Sequence, residues 1–163
     1  MKFLLDDGEV IYAHKIILTN RSQHFKSMFE VGMKEGELDA INIPSVSSNI
    51  FLLFLEFVYS SSVELSGENV AELMIVADRF TEETLKLLCQ QYIESNIDHQ
   101  SVSDCFALAN QVNASHLRKY CLNYILVNHE FIKNLPSYQS LPPSLLEEIS
   151  SIIRQNQALR GNT

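Results

Sequence analysis

Few residues in this chain are placed to do covalent chemistry. His14 precedes Lys15 where a helix begins, which invites a general-base reading. No second ionisable group stands at a fixed spacing from it, so local packing and hydrogen bonding of the ring are the simpler expectation. Asp6-Asp7 and Glu82-Glu83 are adjacent carboxylates; sequence neighbours point in different directions, and a turn and a helix start account for them. His116 and His129 are widely separated and flanked by Ser and Asn, which makes a poor metal pair. Cys89, Cys105 and Cys121 are odd in number and lack a Cys-x-x-Cys spacing. They read as reduced, buried thiols rather than as a zinc site or a disulfide framework. No Gly-x-Gly-x-x-Gly, P-loop, His-Glu-x-x-His or Gly-x-Ser-x-Gly motif occurs. The residues imply no catalytic site, no metal, no cofactor and no small-molecule substrate. What remains is recognition chemistry. Two short amphipathic turns meet at Arg21-Ser22 and run into the hydrophobic-x-acid triplet Met33-Lys34-Glu35. An unbranched methionine adapts to a groove on a partner, while an acid can fix register against donors there.

The elements around these residues follow from hydrophobic period. Phe3-Leu4-Leu5 and residues 9–13 flank Asp7-Gly8, a pair suited to a positive-φ turn, and so predict a β-hairpin. Ile16, Ile17 and Leu18, then Phe25, Met28 and Phe29, recur at helical spacing. Ile41-Asn42-Ile43 alternates and ends at Pro44, a short strand. Ser47-Ser48-Asn49 offers N-cap oxygens to a helix over residues 50–59, apolar nearly all round and therefore central and buried. Val63-Glu64-Leu65 reads as one further short strand. Asn69 with Glu72 forms a capping-box pattern ahead of the stripe Val70, Leu73, Met74, Ala77 and Phe80. Thr81 is expected to cap the next helix, with Leu85, Leu88, Tyr92 and Ile93 on one face.

From Ser101 onward the pattern is wholly helical. Val102, Phe106 and Ala109 form one stripe, and Leu117, Cys121, Tyr124 and Phe131 the next, which Leu135-Pro136 stops. After Pro142-Pro143, Leu145, Leu146, Ile149, Ile152 and Ile153 share a face, and a frayed polar tail is expected from Arg154. The fold class is α+β: a small unit at 1–97, then an all-helical extension divided into 98–134 and 135–163. The apolar face of the last segment has no later element to cover it, so a longer parent protein is expected.

Composition narrows the partners. Apolar residues make up 46% of the 163, enough for a core. The formal charge of -8, from 12 basic and 20 acidic residues, repels phosphate backbones and argues against nucleic acid as a partner. No signal-peptide layout opens the chain, and its most apolar run, residues 50–59, is broken by Glu56 and too short to span a bilayer, so no membrane role is expected. Reduced thiols place the chain in the cytoplasm or nucleus.

The run Ala13-His14-Lys15, Leu18, Ser22, Phe25, Met28-Phe29 resembles the signature of the BTB (POZ) domain. Further matches are Ile43, Phe57-Val58-Tyr59, Ala77-Asp78-Arg79-Phe80, Leu85 and Cys89. The resemblance covers residues 1–97 and implies a small mixed sheet with clustered helices and no catalysis. Residues 98–134 look like the 3-box helical pair of cullin adaptors, and residues from 135 on like the start of a BACK-type region. In ligase adaptors of this family a hydrophobic-x-acid triplet contacts the N-terminal helices of a cullin. The resemblance therefore assigns cullin contact to Met33, Lys34 and Glu35, extended by Tyr59, Ser61 and Val127. Many BTB dimers carry a swapped N-terminal segment and a pocket pairing an acid with the base after the Ala-His pair. Here Lys15 supplies the base but Met1 stands in the acid's place, and no swap segment precedes the hairpin, so a strand-swapped dimer is not expected. A homodimer through the helix face near Ile16, Ile17 and Phe25 stays open. The alternative function is a self-associating scaffold of a transcription regulator that recruits co-repressors. A channel-type tetramerisation domain fits less well, because its pattern lacks the Ala-His-Lys helical pair.

Overall fold

The computed structural model describes residues 1–30 and 40–160, with the side chains of Glu30 and Arg160 left aside. The chain divides into two compact units, Met1–Tyr92 and Ile93–Thr163. The first is α+β. Strands β1 (Lys2–Leu5) and β2 (Val10–Tyr12) form the expected hairpin, with Phe3 opposite Ile11. Gly8 takes φ +82°, which a side chain would oppose, and its N–H closes the turn on Leu5 O at 3.0 Å. Strand β3 (Ile41–Ile43) lies parallel to β1 on its other side, giving the order β2-β1-β3. Helices α1 (Lys15–Arg21) and α2 (Gln23–Glu30) follow the hairpin, and α3 (Ser48–Ser60), α4 (Val70–Arg79) and α5 (Glu83–Asn96) follow β3. α5 continues across the boundary between the units.

Five phenylalanines hold the first unit together. Phe3 of β1, Phe25 of α2, Phe51 and Phe54 of α3, and Phe80 after α4 are all shut off from solvent. Their rings meet at 5.0 Å (Phe3–Phe51), 5.4 Å (Phe25–Phe80) and 4.8 Å (Phe54–Phe80), in edge-on, stacked and tilted geometries. Such pairs add about 0.5–1.5 kcal/mol each beyond the area they bury. As its pattern requires, α3 buries most of its circumference: Ile50, Phe51, Phe54, Leu55, Phe57 and Val58.

Several local expectations give way to longer-range bonds. Ser47 is the N-cap of α3 but makes no side-chain cap bond. The first-turn N–H of Ser48 donates instead to Asp7 Oδ2 at 2.7 Å, and Ser45 N–H donates to Asp6 Oδ2 at 2.6 Å. The acidic hairpin turn thus caps a helix 41 positions away in sequence. Val63-Glu64-Leu65 forms no strand, having no ladder partner among the described residues. Asn69 does not act through a capping box. Its Oδ1 accepts Ser66 N–H at 2.9 Å and its Nδ2 donates to Glu64 O at 3.1 Å, so it closes the preceding turn. Thr81 does not cap α5 either. It adopts φ +57° after α4, with Thr81 N–H on Asp78 O and Glu82 N–H on Ala77 O, a Schellman ending. In α5, Leu85, Cys89 and Ile93 are buried while Leu88 faces outward.

The second unit packs α6 (Val102–Gln111) on α7 (Ser115–Val127), followed by short α8 (His129–Ile132) and α9 (Pro136–Gln139) and long α10 (Pro143–Arg160). Its core joins Phe106, Leu117, Cys121, Ile125, Ile132 and Ile149. Phe131 is exposed, because the break at Asn128 turns α8 away from the stripe of α7. The tail from Arg154, expected to fray, stays helical to Arg160. Arg118 ties three helices: it donates to Asn110 Oδ1 at 3.0 Å and Glu148 Oε2 at 2.6 Å while its guanidinium lies over the Phe106 ring. No helix of the described residues is long and apolar enough to cross a membrane.

Two outcomes test this architecture. Phe54→Ala should cost about 3–5 kcal/mol in denaturant titration of the chain, since it empties the centre of the ring cluster. The bond from Ser48 N–H holds the Asp7 carboxyl below its ordinary value of 3.8. A depressed folded-state pKa contributes stability above the unfolded value and loses it as pH falls through the folded one. Asp7→Asn should therefore lower thermal stability near pH 7, and its deficit should shrink as pH drops below 3.8.

Candidate protein-interaction surface

The end of α3 and the start of α1 are bound by polar contacts across the first unit. The hydroxyl of Tyr59 accepts His14 N–H at 2.8 Å and lies 3.1 Å from His14 Nδ1. His14 is the N-cap residue of α1 and has no side-chain cap bond, so Tyr59 fixes where that helix begins. At the other end of α1, Arg21 Nη1 donates to Ser61 Oγ at 3.0 Å. Ser61 is the C-cap of α3, with φ 60°, and its N–H reaches Phe57 O at 2.7 Å. The Lys15 ammonium stands 4.6 Å from the Phe29 ring centroid, a cation–π contact. The N-terminal ammonium of Met1 donates to Ala13 O.

Beside this seam lies a shallow depression of about 350 Å³, lined by Ile11, Tyr12, His14, Leu52, Glu56 and Tyr59. Tyr12 and Leu52 are exposed at its rim, and Ile16 is 71% exposed on the neighbouring helix. Exposed apolar side chains gathered at one depression, as Tyr12 and Leu52 are, mark interaction surfaces. Ile17 is half-buried. Phe25 is a correction to the expected dimer face: it is 0% exposed and sits in the phenylalanine cluster, so no partner can reach it. The apolar period of α2 made Phe25 a candidate, but the same period serves a core.

The other expected contact residues separate by location. Tyr59 is half-buried and Ser61 exposed in the first unit. Val127, at the end of α7 in the second unit, is 83% exposed, and Phe131 beside it is exposed as well. Val127 borders a groove of about 270 Å³ with Leu126, His129, Glu130 and Ile153. Met33, Lys34 and Glu35 lie outside the described residues. Arg21 was absent from the sequence-based candidates; only its position at the end of a helix hinted at a role.

Burial pushes the thiols of Cys89 and Cys121 up to about 12 and that of Cys105 up to about 11, so all three stay protonated and weakly nucleophilic. They are free cysteines. His24 is held below its ordinary value by burial and by the nearby Arg79 charge. Among the described residues no group of three or more His, Cys, Asp or Glu side chains is gathered as a metal would need.

Residues 1–97 match the family model described as BTB/POZ domain. The chain is 32% identical over 145 residues, 89% of its length, to an Arabidopsis thaliana protein described as ARM repeat protein interacting with ABF2. It is 31% identical over 154 residues, 94% of its length, to Kelch-like protein 22 of Mus musculus. The chain spans only 20% and 24% of those two relatives. Its fold is similar to the BTB domain of zebrafish PATZ1, with a TM-score of 0.50 and 25% identity over 58% of this chain and 75% of that one. The chain belongs to the BTB/POZ family, a class of protein-interaction domain.

The link between α1 and α3 can be tested directly. Tyr59→Phe removes the hydroxyl that meets His14 and should lower unfolding free energy by about 1 kcal/mol, read from denaturation midpoints. Phe keeps the ring packing, so the helical circular dichroism should not change.

Proposed function

We propose that this chain is the cullin-docking part of a ubiquitin-ligase substrate adaptor. Met33, Lys34 and Glu35 make the central contact, Tyr59 and Ser61 extend it on the first unit, and Val127 extends it on the second. Residues 98–134 act as a 3-box pair and residues from 135 on open a BACK-like region. The observation that carries this reading is the reach of the likeness to Kelch-like protein 22. It runs over 94% of the chain, through the BTB domain and into the helices beyond it. A stable interface needs about 800 Å² per partner, more than one triplet supplies. The exposure of Val127 at the edge of its groove supports a second patch of contact.

A second reading, self-association, is favoured by one specific feature. Ile16, Tyr12 and Leu52 are exposed apolar side chains of the first unit, and Tyr12 and Leu52 line one depression. In that reading Ile16 and Ile17 of α1 contribute to a homodimer and Phe25 acts only as core.

The adaptor reading predicts that Met33→Ala combined with Glu35→Lys leaves the circular dichroism unchanged. Cullin binding should weaken by at least tenfold, about 1.4 kcal/mol, in calorimetric titration against a cullin N-terminal fragment. Equal affinity in the double variant rejects the assignment. Light scattering on the same samples reads the mass, and a dimer that Ile16→Glu splits supports self-association.

A further inference from the structure

We propose that Ser61 is a phosphoacceptor and that Arg21 is the built-in receptor for its phosphate. Three consecutive serines, Ser60, Ser61 and Ser62, stand exposed where α3 ends. Their hydroxyls are not equivalent. Ser60 Oγ lies 2.7 Å from the carbonyl oxygens of both Glu56 and Ser62 and accepts Ser62 N–H, so it is occupied by backbone. Ser61 takes the left-handed conformation, and its Oγ serves as acceptor for Arg21 Nη1 at 3.0 Å. That bond leaves the hydroxyl proton without an acceptor among the described residues.

The surroundings suit both the transfer and its product. Residues 62–66 follow in irregular backbone with no ladder partner among the described residues, and the two Asn69 bonds, to Glu64 O and Ser66 N–H, must open for a kinase cleft to hold the segment extended. Glu64 stands three residues beyond Ser61, a charge that acid-directed serine kinases can read. A phosphate brings about -1.5 to -2 charges. At the C-terminus of a helix, on a chain already at -8, that charge is disfavoured unless a cation receives it. Arg21 is exposed, already within hydrogen-bond distance of Ser61 Oγ, and has no carboxylate within ion-pair distance among the described residues. Its guanidinium can take two phosphate oxygens at once, replacing one bond to a neutral hydroxyl by charge-assisted bonds between the end of α1 and the end of α3.

The step itself uses Mg-ATP and a protein serine kinase. The bond between the γ-phosphorus and the bridging oxygen of ADP breaks, and a bond from Ser61 Oγ to that phosphorus forms. The hydroxyl proton passes to the general base of the kinase, and ADP leaves. Ser61 also belongs to the proposed cullin contact, but the acceptor and its receptor rest on the Arg21–Ser61 bond and not on that reading.

The test has two arms. The intact chain is incubated with an acid-directed serine kinase and Mg-ATP, and the phosphopeptides are mapped by mass spectrometry. Phosphate at Ser61, lost in Ser61→Ala, is expected; no transfer, or transfer to Ser60 or Ser62 instead, overturns the acceptor assignment. Separately, phosphoserine is installed at position 61 by codon suppression and titrated by phosphorus NMR. The second ionisation, ordinarily near pH 6, should fall about half a unit lower with Arg21 present than in Arg21→Gln. Identical midpoints overturn the role of Arg21, and Arg21→Lys should restore only part of the shift because an ammonium cannot present the same fork.

Discussion

The first unit depends on the contact among Phe3, Phe25, Phe51, Phe54 and Phe80. Each ring comes from a different part of the unit: the first strand, the second helix, two turns of the central helix, and the residue that ends α4. A three-stranded sheet with strands of only three or four residues has little ladder to hold it. Ring packing supplies what the sheet lacks, and it sets where α2 and α3 run. Every surface feature on this unit inherits its position from that cluster.

Around it, a few polar bonds fix the detail. Asp6 and Asp7 hold the connection between β3 and α3, Tyr59 holds the start of α1, and Arg21 with Ser61 holds its end. Each bond is modest, since folding exchanges it for a bond to water. Together they lock the relation of α1 to the end of α3 without adding apolar bulk. That leaves Tyr12, Ile16 and Leu52 exposed, an arrangement suited to binding another protein. In the second unit Arg118 does comparable work, linking Asn110, Glu148 and the Phe106 face, while Cys121 simply fills core space.

Much of this was legible along the chain. Asp7-Gly8 announced the hairpin, Ile41-Asn42-Ile43 the third strand, and the run of residues 50–59, apolar but for Glu56, the buried helix; all three stand as read. The stripe from Val70 to Phe80 is likewise buried. The failures share a cause. Asn69 and Thr81 were assigned from local capping patterns, but each serves the turn before its helix rather than the helix itself. Phe131 continues an apolar period that the backbone interrupts at Asn128. For Val63-Glu64-Leu65, alternation was present and a neighbouring strand among the described residues was not.

By itself, then, the order of residues determined most of the helices and strands and which family they build, because period and turn chemistry act between near neighbours. Tertiary structure alone decided which apolar residues of α1 and α2 face out, Ile16, and which face in, Phe25. It also decided that a carboxylate in the hairpin turn would cap α3 and that Arg21 would meet Ser61. A side-chain hydrogen bond reaches only about 3 Å and carries no signature in either partner's sequence neighbourhood. Such pairings exist only once the core has brought distant segments together.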